Sequence, residues 1–254
     1  MAFTIDLSGK NILVTGASRG IGKGIALMLG EAGATVGVHY GKSQKEAEAL
    51  VNSIGNGAKA FQADLANSEE VKKLFDDFMV HFGKIDVLVN NAGIAFSTAM
   101  DAEENTWLAD WNTTMAVNLS AAALLSKLAL PHMTEHGGGR LIHIASRAAH
   151  RGDTPDYMAY AASKAGMLAM HKTIARFYGK KGICSFAIAP GFTHTDMAQQ
   201  FIDEYGEAWA TNDLALSQLT KPADIAPTVL LMASGMMDHA TGAVVDINAG
   251  SYIR

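Results

Sequence analysis

The sequence predicts a doubly wound α/β domain, in which about seven parallel strands form one sheet with helices on both faces. Short apolar runs bounded by glycine, asparagine or aspartate are typical of buried parallel strands. These runs alternate along the chain with longer stretches of helical period, such as Lys45–Ile54 and Val71–Phe82, as they do in sheets built from β-α-β units. The predicted strands are Asn11–Thr15, Thr35–His39, Ala58–Gln62, Ile85–Asn90, Arg140–Ala145, Ile183–Ala189 and Val244–Asn248.

The chain is expected to form a single domain over residues 1–254, because it has no linker, repeat or compositional break. Its net charge of −5 provides no basic surface, which argues against nucleic-acid and membrane partners. The longest apolar stretch, residues 121–130, is interrupted by Lys127 and is too short to span a bilayer. One cysteine, Cys184, and a start without the layout of a signal peptide favour the cytoplasm.

A glycine-rich turn follows the first predicted strand and precedes a helical stretch. It has the sequence Thr15-Gly16-Ala17-Ser18-Arg19-Gly20-Ile21-Gly22. Glycines let backbone N–H groups and the positive end of a helix dipole approach a dinucleotide pyrophosphate. This Rossmann-like arrangement predicts that the dinucleotide is bound by Gly16, Ser18, Arg19, Gly20, Ile21 and Gly22.

The same turn also matches the nucleophile elbow of α/β-hydrolases, because residues 16–20 have the spacing G-x-S-x-G. Ser18 would then be the nucleophile of a serine hydrolase. In that fold the elbow follows several strands, whereas this turn follows the first. The hydrolase is therefore kept only as an alternative.

The residues after the second strand favour NADP(H), with NAD(H) as the other option. An NAD site usually has an acidic residue about 20 residues beyond the glycines, which binds the ribose 2′-hydroxyl. No carboxylate occurs here before Glu46. Lys42, Ser43 and His39 are candidate donors to a 2′-phosphate, and Arg19 can reach it as a bidentate fork. Solvated surface charges are the alternative role for Arg19 and Lys42.

Tyr160 and Lys164 lie four residues apart in a stretch, residues 156–179, that reads as a helix. Side chains at i and i+4 share a helix face, and ketone reduction needs a proton donor for the developing alkoxide. Lowering the pKa of a phenol by about three units takes roughly 4 kcal/mol. An ammonium about 4 Å away supplies that amount at a protein-like effective dielectric. Taken alone, the pair also fits two surface residues of a helix.

Three further signals accompany this pair. Ser146 follows the strand Arg140–Ala145, where its hydroxyl can hydrogen-bond a substrate oxygen. Asn90–Gly93 follows another strand, and its small residues let the backbone approach a cofactor. Asn118 is a polar residue in an apolar helical stretch, for which a satisfied buried amide is the alternative to a functional role.

In combination these motifs resemble those of the short-chain dehydrogenase/reductase family, over nearly the whole chain. The family's order and approximate spacing are found at Thr15–Gly22, Asn90–Gly93, Asn118, Ser146, Tyr160–Lys164 and Pro190–Gly191. The resemblance implies an oxidoreductase that transfers a hydride between NADP(H), or NAD(H), and a small-molecule carbonyl or secondary alcohol. The substrate stays open among 3-oxoacyl thioesters, sugars or polyols, and other ketones.

The resemblance also implies a role for each residue. Tyr160 would be the general acid/base, and Lys164 would lower its pKa and bind the nicotinamide ribose. Ser146 would polarise the carbonyl, and Asn118 would support a water-linked proton relay. Further implied cofactor contacts are Asp64 and Leu65 at the adenine, Asn91, Ala92 and Gly93 at the adenosine-side ribose, and Pro190, Gly191, Thr193 and Thr195 at the nicotinamide. Thr193 stands where the family often has Val or Ile, so its contact with the nicotinamide should differ from the family's usual one.

By the same resemblance, residues 192–219 should cover the substrate, and the helical stretches 104–130 and 157–179 should pack between subunits of a homotetramer, or of a dimer. The covering segment has apolar side chains at Phe201, Ile202, Tyr205, Trp209 and Leu214, for which packing alone is the alternative. No metal is expected, since His132 and His136 lack the H-E-x-x-H pattern and should lie in a loop after Pro131. A dinucleotide-binding regulator without turnover would be expected to have lost members of the tetrad, and none is missing.

Overall fold

The computed structural model describes residues 4–195, 198–199, 202–203 and 206–254. Within these residues, seven strands form one sheet in the order β3-β2-β1-β4-β5-β6-β7, and all neighbouring strands are parallel. The strands are β1 (Asn11–Val14), β2 (Thr35–Tyr40), β3 (Lys59–Gln62), β4 (Val87–Asn90), β5 (Gly139–Ile144), β6 (Ile183–Pro190) and β7 (Val244–Ile247).

The predicted fold class is confirmed, and the seven predicted strands are all present. Their bounds differ from the prediction by one or two residues. The strand predicted from Ile85 begins at Val87, the first residue of β4 in register with β1. The strand predicted to end at His39 continues to Tyr40, which pairs with Gln62.

Helices cover both faces of this sheet. Those that the structure describes are α1 (Gly20–Glu31), α2 (Gln44–Ile54), α3 (Ser68–Phe82), α4 (Glu104–Met115), α5 (Ala121–Glu135), α6 (Ala148–Arg151), α7 (Met158–Tyr178), α8 (Glu207–Thr211) and α9 (Pro222–Ser234). A π-helical turn, Ala116–Ser120, joins α4 to α5 without a break.

Helix α3 begins three residues before the apolar stretch that predicted it. Its first turn is polar: the Asn67 side chain caps the helix by accepting a hydrogen bond from the amide of Glu69 at 3.0 Å. Glu69 and Glu70 add negative charge at the positive end of the dipole. Gly83 ends the helix with a φ of 76°. Apolar periodicity cannot predict this first turn, because the turn contributes no buried apolar side chain.

Side chains of the sheet alternate between two apolar layers. Ile12 and Val14 of β1 pack on one face with Ile25 of α1 and with α9. Leu13 packs on the other face, in a cluster that also includes Phe78 of α3 and residues of α5. Burial of one such side chain stabilises the fold by roughly 1.5–3 kcal/mol.

The continuous helical stretch Glu104–Glu135 is long and apolar enough to cross a membrane by length and composition alone. In this structure 44 % of its most apolar window is buried within the molecule. Leu125, Ala129 and Met133 belong to the core layer against the sheet. We therefore assign the stretch as a core helix. His132 lies inside α5, with its ring 5.6 Å from that of Phe75, so the predicted loop position is wrong.

The strand order reverses at the centre of the sheet. After β3 at one edge, the chain returns to β4 on the opposite side of β1. The connections that follow β1 and β4 therefore leave in opposite directions and open a crevice at the carboxyl ends of these strands. The candidate residues after β1, β4, β5 and β6 all lie at this end of the sheet.

Candidate active site

The backbone of the glycine turn after β1 lies too close to neighbouring atoms to carry side chains at Gly16 and Gly22. Gly16 and Gly20 have positive φ angles of 61° and 55°, which side chains disfavour. A Cβ atom on Gly16 would lie 2.9 Å from the Cα of Ala92, and one on Gly22 would overlap the Gly16 carbonyl oxygen and lie 2.5 Å from Asn91 Nδ2. The turn thus brings the N-terminus of α1 into the crevice, as a dinucleotide pyrophosphate requires.

Hydrogen bonds fix this turn to the end of β4. The Nδ2 of Asn91 donates to the carbonyl oxygens of Thr15 and Gly16 at 2.8 and 3.1 Å. The hydroxyl of Thr15 in turn accepts from the amides of Asn91 and Ala92 at 2.9 and 3.0 Å. Asn91 and Ala92, predicted to contact a ribose, therefore also hold the turn in shape.

His39 does not have the role predicted for it. Its side chain is buried, its Nδ1 accepts from the amide of Gly16 at 2.9 Å, and its Nε2 donates to the carbonyl oxygen of Ala63 at 3.1 Å. Burial lowers the pKa of His39 to about 4, so the ring is neutral near pH 7. Both ring nitrogens are already used, and we correct the expectation that His39 donates to a 2′-phosphate.

The remaining candidates for the 2′-phosphate lie near the carboxyl end of β2. Lys42 and Ser43 follow the strand, and Ser43 is the residue before α2. Arg19 immediately precedes α1. Lys42 and Arg19 are both exposed, as contact with a ligand at the rim requires.

The two residues expected at the adenine, Asp64 and Leu65, differ in the exposure of their side chains. Asp64 is exposed after β3, and its carboxylate accepts from the amide of Ala66 at 2.9 Å. The Leu65 side chain is buried in the core layer of α3. The position of Leu65 at the adenine stays a prediction, in which its backbone rather than its side chain would face the ring.

Asn118 lies in the π-helical turn between α4 and α5, a type of turn that is frequent at functional sites. Its amide oxygen accepts from the amide of Ile94 at 2.8 Å. Its Nδ2 donates to the carbonyl oxygen of Ile94 at 2.9 Å and to the hydroxyl of Ser163 at 3.0 Å. Asn118 thus fastens α5 to α7 and to the loop after β4.

Gly93 separates Asn118 from Lys164. A Cβ atom at this position would lie 3.2 Å from Lys164 Nζ and 3.4 Å from Asn118 Oδ1. The ammonium and the amide oxygen therefore flank the same glycine. The structure brings these two predicted residues together, which the predicted proton relay requires.

Lys164 is held deep in the crevice by α7. Only 3 % of the residue is exposed, and its Nζ donates to the carbonyl oxygen of Ile144 at 2.8 Å. The Nζ lies 5.8 Å from the centre of the Tyr160 ring. Burial lowers the pKa of Lys164 to about 8, which leaves the ammonium charged at neutral pH.

Tyr160 faces Ser146 across the crevice. Burial raises the pKa of the phenol, and a hydrogen bond from the Ser146 hydroxyl opposes that rise. The predicted lowering of this pKa by Lys164 is not found, because the ammonium lies over the ring and is bonded to Ile144. The phenol keeps its proton at neutral pH and can donate it.

Ser146 is oriented by the turn that follows β5. Its hydroxyl oxygen accepts from the amide of Ala148 at 3.1 Å, and the residue is 8 % exposed. The Ser146 hydroxyl thus lies within hydrogen-bonding reach of the Tyr160 phenol. Two hydroxyls so placed can hold one carbonyl oxygen between them.

The segment after β6 reaches back to the glycine turn. Pro190 ends the strand, and a Cβ atom on Gly191 would lie 2.8 Å from the Cα of Asn248, so a side chain does not fit. Thr193 is buried, and its hydroxyl donates to the carbonyl oxygen of Gly191 at 3.2 Å. Thr195 Cγ2 lies 3.2 Å from where a Cβ of Gly20 would be.

The predicted covering segment, 192–219, is described only in part. Phe201, Tyr205 and the side chain of Trp209 lie outside the described residues. Ile202 and Leu214 are half-buried. The lid therefore stays a prediction.

The described residues give the hydrolase alternative no support. Ser18 is buried in the turn after β1, and no hydrogen bond joins it to a histidine in the described part of the chain. Residues 4–195, 198–199, 202–203 and 206–254 also contain no group of three or more His, Cys, Asp or Glu side chains that could hold a metal ion.

Sequence reasoning missed two residues of this site. The hydroxyl of Ser163 accepts from Asn118 and donates to the carbonyl oxygen of Tyr160 at 2.7 Å. Arg147 directly follows Ser146 and is 6 % exposed. The signal for Arg147 was its position, since a cation next to a strand-end serine lies at the same edge of the sheet.

Known proteins share both the sequence pattern and the fold. A family model described as Enoyl-(Acyl carrier protein) reductase matches residues 16–251. The 3-oxoacyl-[acyl-carrier-protein] reductase FabG of Staphylococcus aureus (strain Mu50) is 36 % identical over 247 residues, which cover 96 % of this chain and 98 % of that protein.

Two crystal structures extend the likeness to three dimensions. A dehydrogenase/reductase from Sinorhizobium meliloti 1021 has a TM-score of 0.91 and 34 % identity over 98 % of both chains. A short chain dehydrogenase from Burkholderia cenocepacia J2315 in complex with NADP has a TM-score of 0.89 and 35 % identity, over 96 % of this chain and 98 % of that one. The resemblance drawn from the motifs is confirmed, and the chain belongs to the short-chain dehydrogenase/reductase family.

Proposed function

We propose that this protein is an NADP(H)-preferring oxidoreductase that interconverts a ketone and a secondary alcohol. The observation that carries the proposal is the meeting of the Ser146 and Tyr160 hydroxyls beside a buried lysine ammonium. This group lies at the same end of the sheet as a glycine turn that excludes side chains. A proton donor and a dinucleotide cradle are the two parts that hydride transfer to a carbonyl needs.

The residues of the crevice fit a nicotinamide dinucleotide. Side chains are excluded at Gly16 and Gly22, where the pyrophosphate would approach the N-terminus of α1. Gly93 and Gly191 leave similar space after β4 and β6. When bound, the nicotinamide supplies or accepts the hydride.

The protein's own part in the reaction is to hold the carbonyl and to move a proton. In the direction of reduction, the hydroxyls of Ser146 and Tyr160 donate hydrogen bonds to the substrate oxygen, which polarises the carbonyl. The phenol of Tyr160 then gives its proton to the oxygen as the alcohol forms. The ammonium of Lys164, which donates to the carbonyl oxygen of Ile144, would bind the nicotinamide ribose, and Asn118 and Ser163 hold α7 in place.

The preference for NADP(H) is supported by charge. The end of β2 carries Lys42 and Ser43 and no carboxylate before Glu46, and Arg19 lies at the start of α1. A ribose 2′-phosphate therefore meets cations and no anion there. The Burkholderia relative is bound to NADP.

A panel of ketones and alcohols, followed by nicotinamide absorbance with NADPH, NADH and their oxidised forms, tests the proposal. The panel contains 3-oxoacyl thioesters, sugars, polyols and small ketones, because the named FabG relative is a 3-oxoacyl reductase and the family implies the others. We expect turnover of at least one class, and faster with NADP(H). Dinucleotide binding without any turnover would favour the regulator, which all four tetrad residues argue against.

We further propose a cytoplasmic homotetramer, with a dimer as the second option, and one catalytic domain covered by residues 192–219. Exposed apolar side chains on α4 and α7 support an assembly through these helices: Leu108 is 41 % and Met158 is 44 % exposed. The rings of Trp107 and Trp111 stack on α4 at 5.2 Å. Light scattering of the purified protein measures the oligomeric state.

A further inference from the structure

A second cation lies next to the candidate catalytic serine. Arg147 follows Ser146 after β5, and its amide donates to the carbonyl oxygen of Pro190 at the end of β6 at 2.9 Å. Its guanidinium lies 5.1 Å from the centre of the Phe192 ring. The side chain is therefore held between the carboxyl ends of β5 and β6.

The guanidinium of Arg147 is buried without a full set of partners. The residue is 6 % exposed, and its Nη1 has no hydrogen-bond partner in the part of the chain that the structure describes. A buried ionised group is costly unless an opposite charge or hydrogen bonds compensate it. Contact with an aromatic ring compensates only a small part of that cost.

The nearby carboxylates do not provide the missing hydrogen-bond partner of Arg147 Nη1. Asp213 attracts Arg147, but its carboxylate is bonded to Arg151 at 3.4 Å and is 59 % exposed. Asp153 also attracts Arg147 and is exposed. Neither accepts a hydrogen bond from the buried Nη1.

The guanidinium lies by the carboxyl ends of β5 and β6, the end of the sheet at which Ser146 also lies. The charge of Asp153 acts on both the Arg147 guanidinium and the Tyr160 phenol. Ser146, which hydrogen-bonds the phenol, is the preceding residue in the chain. An anion bound by Arg147 would therefore lie at the same end of the sheet as a carbonyl held by Ser146 and Tyr160.

We propose that Arg147 binds a carboxylate of the substrate, so that the enzyme acts on short oxo acids and the corresponding hydroxy acids. The planar guanidinium fork matches a carboxylate with two parallel hydrogen bonds. This inference rests on the proposed oxidoreductase function and names its substrate class. Arg147 is then a residue that determines specificity.

The test compares matched substrates. Reduction of 4-oxopentanoate and of its amide is measured with NADPH, and the ratio of their kcat/KM values reports recognition of the charge. We expect the wild type to prefer the acid, and Arg147→Gln to lower the ratio about 10- to 100-fold, mainly through KM of the acid, as loss of a charge-assisted pair does. Arg147→Lys should retain part of the preference, because it keeps the charge.

Arg151→Gln is the matched control. Arg151 is a neighbouring cation at the end of α6, the short helix that begins directly after Arg147, and its partner is the exposed Asp213. Its replacement should change the ratio by less than about threefold, as expected for an exposed ion pair. A wild-type ratio near one, or an unchanged ratio in Arg147→Gln, would overturn the inference.

Calorimetric titration separates this inference from the proposed function. If neither the acid nor the amide is reduced, the proposed function fails for this ketone pair, and 4-oxopentanoate is titrated into the protein with NADP⁺ present. Binding by the wild type that is lost in Arg147→Gln supports the carboxylate site. No binding, or equal binding by both proteins, overturns it.

Discussion

The ammonium of Lys164 lies over the face of the Tyr160 ring, with Nζ 5.8 Å from the ring centre, and bonds the carbonyl oxygen of Ile144 at 2.8 Å. The phenol is thus protonated in the free enzyme, with its pKa raised by burial. The protonated form is the one that ketone reduction uses. Burial also leaves Lys164 as a charge that folding must desolvate.

The difference in unfolding free energy between the wild type and Lys164→Met is expected to depend on pH. The folded pKa of Lys164 is about 8 and its ordinary value is 10.5, so the unfolded chain binds more protons between these values and wild-type stability rises with pH there. Relative to Lys164→Met, the unfolding free energy of the wild type should increase by about 2 kcal/mol from pH 7 to pH 9.5.

Urea unfolding of both proteins at the two pH values measures this difference. Lys164→Met should also lose oxidoreductase activity, which would separate the residue's functional role from its effect on stability. A difference between the two proteins that stays constant with pH would contradict the assigned desolvation of the ammonium.

Gly22→Ala should impair both folding and dinucleotide binding. The added Cβ would overlap the Gly16 carbonyl oxygen and crowd Asn91 Nδ2, which distorts the turn. We expect a loss of about 1–3 kcal/mol in stability and at least tenfold weaker NADP⁺ binding, measured by unfolding and by fluorescence titration. Gly179→Ala is the control, because a Cβ there meets nothing within 4 Å; equal effects at both positions would refute the close-approach role.

His39→Leu should weaken the binding of NADP⁺ and of NAD⁺ by similar factors. The substitution leaves the amide of Gly16 and the carbonyl oxygen of Ala63 without their partner, which costs about 1–3 kcal/mol per buried group. Both nucleotides use the same glycine turn, so both dissociation constants should rise. A loss of affinity for NADP⁺ alone would instead indicate that His39 binds the 2′-phosphate.

Lys42→Ala should weaken the binding of NADP⁺ more than that of NAD⁺. Lys42 is exposed at the carboxyl end of β2, and removal of one phosphate contact should raise the dissociation constant of NADP⁺ about 3- to 30-fold. Lys45→Ala, which removes an exposed charge from the first turn of α2, is the matched control. Equal losses for both nucleotides would defeat the 2′-phosphate assignment.

Much of this architecture could be predicted because its signals are local. Brief apolar runs predicted all seven strands, and the glycine turn follows β1 as expected. The four tetrad residues have a fixed order and spacing, and the structure brings them to one end of the sheet. Side-chain direction was harder: β2 is buried on both faces, so no alternation indicated that His39 points inward.

Other features depend on contacts between distant segments. Nothing near Leu65 in the sequence indicates that its side chain enters the core beside α3. The π-helical turn that presents Asn118 reads as ordinary helix by apolar period. The orientation of Lys164 towards Ile144 follows from the packing of α7 on β5, which spacing along one helix cannot reveal.

Tyr160→Phe is the smallest change that removes the proposed proton donor. Phenylalanine keeps the ring beneath Lys164 and deletes only the hydroxyl that meets Ser146. Asn118, Gly93 and the glycine turn are untouched, so NADP⁺ should still bind with a dissociation constant within about threefold of the wild type. Loss of general acid catalysis and of the polarising hydrogen bond should lower kcat by at least about 10³-fold.

The decisive measurement is the rate of NADPH oxidation by wild type and Tyr160→Phe on the best ketone of the panel, with NADP⁺ affinity determined on the same preparations. We predict intact dinucleotide binding and turnover reduced to the background rate. A variant that binds NADP⁺ and keeps more than about a tenth of wild-type kcat would contradict the assignment of Tyr160 as the general acid.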